Sequence, residues 1–197
     1  MKNILPHLLR RGIFLEYITL AWNIVGLGIM MPAAIHARSV ALAGFGLDSL
    51  IEIGASTVVI WELTGAGMGR EKKALRMIGA AFFALAVYIL LQSSYVLITR
   101  FHPGVSPMGI VWLVLTFAVM LMLAAGKARA GAALGNVVLQ TEGRVTMVDA
   151  YLAGATLVGL ALNAALGWWW ADPMAGLVIV FYGFQEGRHA WSEANAE

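Results

Sequence analysis

Apolar residues run along this chain in long blocks separated by short polar segments. A hydrocarbon core about 30 Å thick needs about 20 apolar residues per helix. Six blocks reach that length, at about 12–33, 39–63, 75–99, 107–126, 144–166 and 171–190. The pattern predicts an all-α, polytopic membrane protein: one domain over residues 1–197, built as a bundle of six transmembrane helices. Only GWWWADP separates the last two blocks. There Asp172 followed by Pro173 reads as a helix start, an N-cap with proline at the first helical position. Trp168, Trp169 and Trp170 fit an aromatic belt at a membrane–water boundary. The segments TGAGMGREKK and GKARAGAALG read as connecting loops, their glycines suiting turns.

Composition sharpens this picture. Of 197 residues, 60% are hydrophobic and 12% charged, whereas soluble domains carry about 25% charged residues. A water-soluble chain of this size could not hide so much apolar surface. The absence of cysteine excludes disulfides and thiolate metal sites. A net charge of +2 gives no ground for a nucleic-acid partner. The opening MKNILPHLLRRGIF does not read as a cleavable signal, because Pro6, His7, Arg10 and Arg11 interrupt its apolar run.

The positive charge matters through its placement. Six spans divide the loops into two sets. One set holds Lys2, Arg10, Arg11, Arg70, Lys72, Lys73, Arg76, Lys127, Arg129, Arg144 and Arg188; the other holds Arg38 and Arg100. The positive-inside rule then puts both termini in the cytoplasm. No soluble domain is expected to follow WSEANAE. The expected location is the inner, cytoplasmic membrane of a bacterium.

An ionisable residue deep in a span marks a functional site by default. Inserting an Asp at a helix centre costs roughly 2.5 to 3.5 kcal/mol. The second span, GFGLDSLIEIGASTVVIWEL, carries Asp48 and Glu52 near its middle. Positions four apart share a helical face, so the two anions repel unless a cation or a shared proton lies between them. A polar contact between helices, with Asn23 or Gln92, is the structural alternative. Asp149, in TEGRVTMVDAYLAGAT of the fifth span, can supply a third oxygen ligand; alternatively it pairs with Arg144.

Glu142, about two turns before Asp149, is expected at the cytoplasmic mouth. It reads either as the place where an ion first binds or as an ordinary interfacial carboxylate. Glu16 and Glu62 lie near cytoplasmic span ends, where Arg10, Arg11 and loop lysines can neutralise them. His7 and His189 belong to the cytoplasmic edges, His36 and His102 to the outer loops, and all four read as solvated. The ten methionines follow no fixed spacing and read as packing.

Three stretches carry a resemblance: LAGFGLDSLIEIGAS, EGRVTMVDAYLAGATLVGLAL and WADPMAGLVIVFYGFQEG. Over essentially its whole length the chain resembles the transmembrane domain of the cation diffusion facilitator family. That family exports divalent metals, typically zinc, in exchange for protons. The resemblance implies a metal held between a two-ligand motif on the second helix and another on the fifth, each with three residues between ligands. The first motif maps onto Asp48 and Glu52, the second onto Val145 and Asp149. Val145 cannot bind metal, which leaves water, a backbone carbonyl or Thr146 for the fourth position. Most members carry a cytoplasmic domain that holds their dimer together. This chain resembles a short subgroup made of the membrane domain only, so the implied homodimer forms through the spans.

The expected function is therefore a divalent cation/proton antiporter that exports metal from the cytoplasm, with no cofactor beyond the transported ion. Metal binding needs deprotonated ligands and so releases protons, which lets the same acids carry either cargo. Zinc leads on what the family transports. Oxygen-only donors lean toward harder ions, which puts manganese or ferrous iron next. Two other readings stand beside it: a non-transporting metal-binding or regulatory membrane partner, and a proton-coupled exporter of organic cations. An enzyme is not expected, since no Ser/His/Asp set or His-rich cluster lies at a shared depth.

Overall fold

The protein's structure, a computed structural model, describes residues 4–64 and 69–196. Within them the chain forms six α-helices and no strand: α1 (Ile4–Ala37), α2 (Val40–Leu63), α3 (Gly69–Thr99), α4 (Pro107–Leu134), α5 (Val137–Leu166) and α6 (Ala171–Ala196). Five contain segments long and apolar enough to cross a membrane: His7–Ala37, Val40–Leu63, Lys72–Thr99, Pro107–Leu134 and Val137–Leu166. In α6, Asp172, Glu186, Arg188 and Glu193 dilute the apolar character.

The main departure from the expected boundaries lies between α4 and α5. GKARAGAALG, read as a loop, is helical through Leu134, and the turn is only Gly135 and Asn136. Alanine, lysine and arginine are strong helix formers, and the segment contains no proline. Its glycines serve close packing. A Cβ on Gly131 would meet the Gln140 amide nitrogen at 2.8 Å, and one on Gly143 would meet that of Ala128 at 2.9 Å. The two backbones therefore touch. Gly135, at φ +65°, ends α4 in the left-handed conformation. The Asn136 side chain then caps α5, accepting from Leu139 N at 2.7 Å. In the other expected loop, residues 65–68 lie outside the described residues, and the GREKK portion is helical.

The helices form a closed ring in the order α1, α2, α3, α6, α5, α4, and α2 and α5 also meet across it. That contact splits the interior into two compartments. The one among α2, α3, α5 and α6 holds an apolar cluster of Ala55, Ile78, Phe82, Val145 and Ala190. The one among α1, α2, α4 and α5 holds the buried charges described below. Large apolar side chains such as Ile35, Leu91, Ile98, Met122 and Phe181 face outward.

The start of α2 is fixed from another helix. Asp172, expected as the N-cap of the last helix, lies inside the first turn of α6 and caps α2 instead. Its carboxylate accepts from Val40 N at 2.9 Å, from Ala41 N at 3.3 Å and from the Ser39 hydroxyl. Ser39 Oγ accepts from Leu42 N at 3.0 Å. The first N–H groups of a helix have no intrahelical acceptor and carry partial positive charge, so a carboxylate is a suitable partner. Trp168 and Trp170 stack nearby, centroids 5.1 Å apart, in the turn between α5 and α6.

Candidate cation site

Helical periodicity lines up Asp48, Glu52 and Ser56 on α2, and Glu142, Thr146 and Asp149 on α5. The contact between α2 and α5 brings the two rows together, and all six side chains are buried. Asp149 interacts electrostatically with both Asp48 and Glu52, and Glu52 in turn with Glu142. The three sequence-predicted ligands are thus neighbours, with Glu142 continuing the same row of carboxyls.

Neither oxygen of Asp48, neither oxygen of Glu52, nor Oδ1 of Asp149 has a hydrogen-bond donor among the described residues. Carboxylate oxygens only accept, so these acid–acid contacts become hydrogen bonds only where one partner holds a proton. A buried ionised carboxylate without a partner is strongly destabilising. The cluster therefore requires positive charge, as protons or as a cation. Among the described residues no three or more His, Cys, Asp or Glu side chains are grouped closely enough to hold a metal ion as they stand. The acids follow one another along a seam.

The structural alternatives weighed for these acids are taken up elsewhere. Asn23 Nδ2 donates to Thr19 O at 3.0 Å, and Gln92 lines a groove with Arg38 and Tyr88. Arg144 does not pair with Asp149; it donates to Thr141 Oγ1 at 2.9 Å and to the Glu193 carboxylate. Val145, at the position the resemblance assigns to a ligand, packs in the apolar cluster with Ile78 and Phe82.

The seam continues to a residue that the sequence reading places in a loop. Lys127 sits on α4 and is fully buried. Its Nζ is 3.0 Å from Glu16 Oε2 and 3.2 Å from Glu142 Oε1, and it donates to Thr146 Oγ1 at 3.0 Å. This corrects three expectations. Lys127 is not among the loop cations that bear on orientation. Glu142 is fully buried and not at an open mouth, and Glu16 is neutralised by Lys127, since Arg10 and Arg11 are exposed. Glu62 finds an amide partner, both its oxygens lying 3.2 Å from Asn136 Nδ2. Thr146, considered as a substitute ligand, is occupied by the Lys127 ammonium.

Chemically, the arrangement is a buried row of five carboxyl groups and one ammonium shared by α1, α2, α4 and α5. It can hold and release protons or a hard cation; it offers no sulfur or imidazole. In comparisons with known proteins, no family model and no curated protein matches the chain.

Proposed function

We propose that this is an integral membrane protein that exports a divalent metal cation from the cytoplasm in exchange for protons, with Asp48, Glu52 and Asp149 holding either cargo. The observation that carries the reading is the set of buried, donor-less carboxyl oxygens on facing turns of α2 and α5. Such a set is unfavourable for stability, and it is chemically suited to trade protons for a cation. Loading a metal requires deprotonated ligands, and ionisable residues inside a membrane mark ion pathways by default.

In this reading all six helices span the inner membrane of a bacterium, α6 included, and both termini are cytoplasmic. The outward apolar side chains meet lipid. The exposed cations Arg10, Arg11, Lys73, Arg76, Arg129 and Arg188 lie toward one side, against Arg38 and Arg100 on the other. A homodimer formed through the helices belongs to the same proposal. Three oxygen donors favour a hard cation such as manganese, while zinc, usually bound by nitrogen or sulfur, rests on the family resemblance.

One observation favours a second reading, a membrane partner that binds metal without moving it. The position of the fourth ligand is Val145, packed among apolar side chains. Calorimetry on the purified protein tests binding, with manganese and zinc titrated in buffers of different ionisation enthalpy. The exchange reading expects saturable binding with proton release, lost in D48N and D149N. Binding without proton release would support the partner instead, and no binding would refute both.

A further inference from the structure

The Lys127 ammonium occupies a position suited to a metal ion. Its oxygen neighbours are Glu16 Oε2 at 3.0 Å, Glu142 Oε1 at 3.2 Å and Thr146 Oγ1 at 3.0 Å, supplied by α1 and α5. Two carboxylates and a hydroxyl make a donor set for a hard cation. Glu16, Lys127, Glu142 and Thr146 are all fully buried. Glu142 also interacts electrostatically with Glu52, so this position adjoins the three-acid cluster.

A purely structural ion pair needs one carboxylate for one ammonium. Here two acids share a single lysine; Glu16 also interacts with the Ser56 hydroxyl, while Glu142 Oε2 remains buried with no donor among the described residues. That surplus of acceptors exceeds what a pairing role requires. We infer that Glu16, Glu142 and Thr146 form a second cation-binding station beside Asp48, Glu52 and Asp149, and that Lys127 fills it with its own tethered ammonium. The seam then carries one exchangeable dication where its acids could hold two. A lysine suits this task because its ammonium is a compact point charge on a flexible stem. An ion moving along the seam toward Glu52 must displace that ammonium from Glu142.

The inference rests on the exchange reading for the kind of cargo, but its test does not. Manganese(II) bound per chain is counted by equilibrium dialysis of the full-length protein in detergent, for wild type, K127M and K127M/E142Q. K127M is expected to bind one ion more than wild type, and K127M/E142Q to lose that increment. A folded K127M with the wild-type count overturns the inference. Failure of the exchange reading shows separately, as no ion bound to wild type, while the increment stands.

Should K127M not fold, K127A purified in ammonium chloride supplies the second test. Its shortened side chain leaves space for a free ammonium ion. Its melting temperature is expected to be several degrees higher in ammonium chloride than in equal tetramethylammonium chloride, whose cation is too large for the site. Equal melting temperatures in the two salts would overturn the station as well.

Discussion

Lys127 Nζ lies 3.2 Å from Glu142 Oε1 across the α4–α5 hairpin, and neither side chain reaches solvent. Removing one member of a buried ion pair leaves an uncompensated charge and costs about 3–5 kcal/mol. K127M is therefore expected to destabilise the protein by that order when no metal is present. K127M/E142Q removes one charge of each sign and should recover part of the loss. Thermal unfolding in detergent, read by circular dichroism, checks both; a K127M melting curve equal to wild type would contradict the pairing.

The hairpin itself depends on close backbone contact. A methyl group on Gly143 would stand 2.9 Å from Ala128 N and 3.2 Å from its Cα. Overpacking of this kind costs typically about 1–3 kcal/mol. Gly143→Ala should lower the melting temperature, and Gly143→Leu should lower it further by forcing Lys127 away from Glu142 and Thr146. Tolerance of leucine there would show that α4 and α5 do not approach this closely.

Asp172 and Ser39 hold the first turn of α2, the helix that carries Asp48 and Glu52. Losing an N-cap costs about 0.5–2 kcal/mol. Asp172→Ala and Ser39→Ala are each expected to fall in that range. The two groups share a hydrogen bond, so the double variant should cost less than the sum of the singles. A full double-mutant cycle measured by thermal unfolding provides the check, and strict additivity would argue against the shared cap.

Val145 separates the resemblance from the packing. Placing a histidine there would complete the family's ligand spacing on paper. Among Ile78, Phe82 and Ala55 it would bury a polar ring without a partner, at about 1–3 kcal/mol. Val145→His is expected to destabilise the protein without tightening manganese binding. A gain in affinity would mean that the side chain turns toward Asp149.

Much of the fold is legible in the pattern of residues. The six apolar blocks each fall within a helix, apart from Ser39, which caps α2. Spacing also places Asp48 and Glu52 on one face and Glu142 in line with Asp149. What escapes the sequence is pairing between distant segments. GKARAGAALG looks like a loop because it combines glycines with charges, yet its Gly131, together with Gly143 on α5, lets α4 and α5 touch, and that contact buries Lys127. The missed signal lies in its alanines and its lack of proline, which favour helix. Asp172 reads as a cap from its neighbour Pro173, but only the packing of α6 against α2 shows which helix it caps.

The central claim is exchange at the three acids, and proton flux tests it most directly. Purified protein in liposomes loaded with a pH-sensitive dye would be given manganese, zinc, iron(II), cobalt, magnesium or calcium in turn, with wild type beside Asp48→Asn and Asp149→Asn. The account predicts metal-dependent proton movement for one or two of these ions, opposite in direction to metal uptake, and abolished in both variants. Folded wild-type protein that moves no protons with any metal would contradict it.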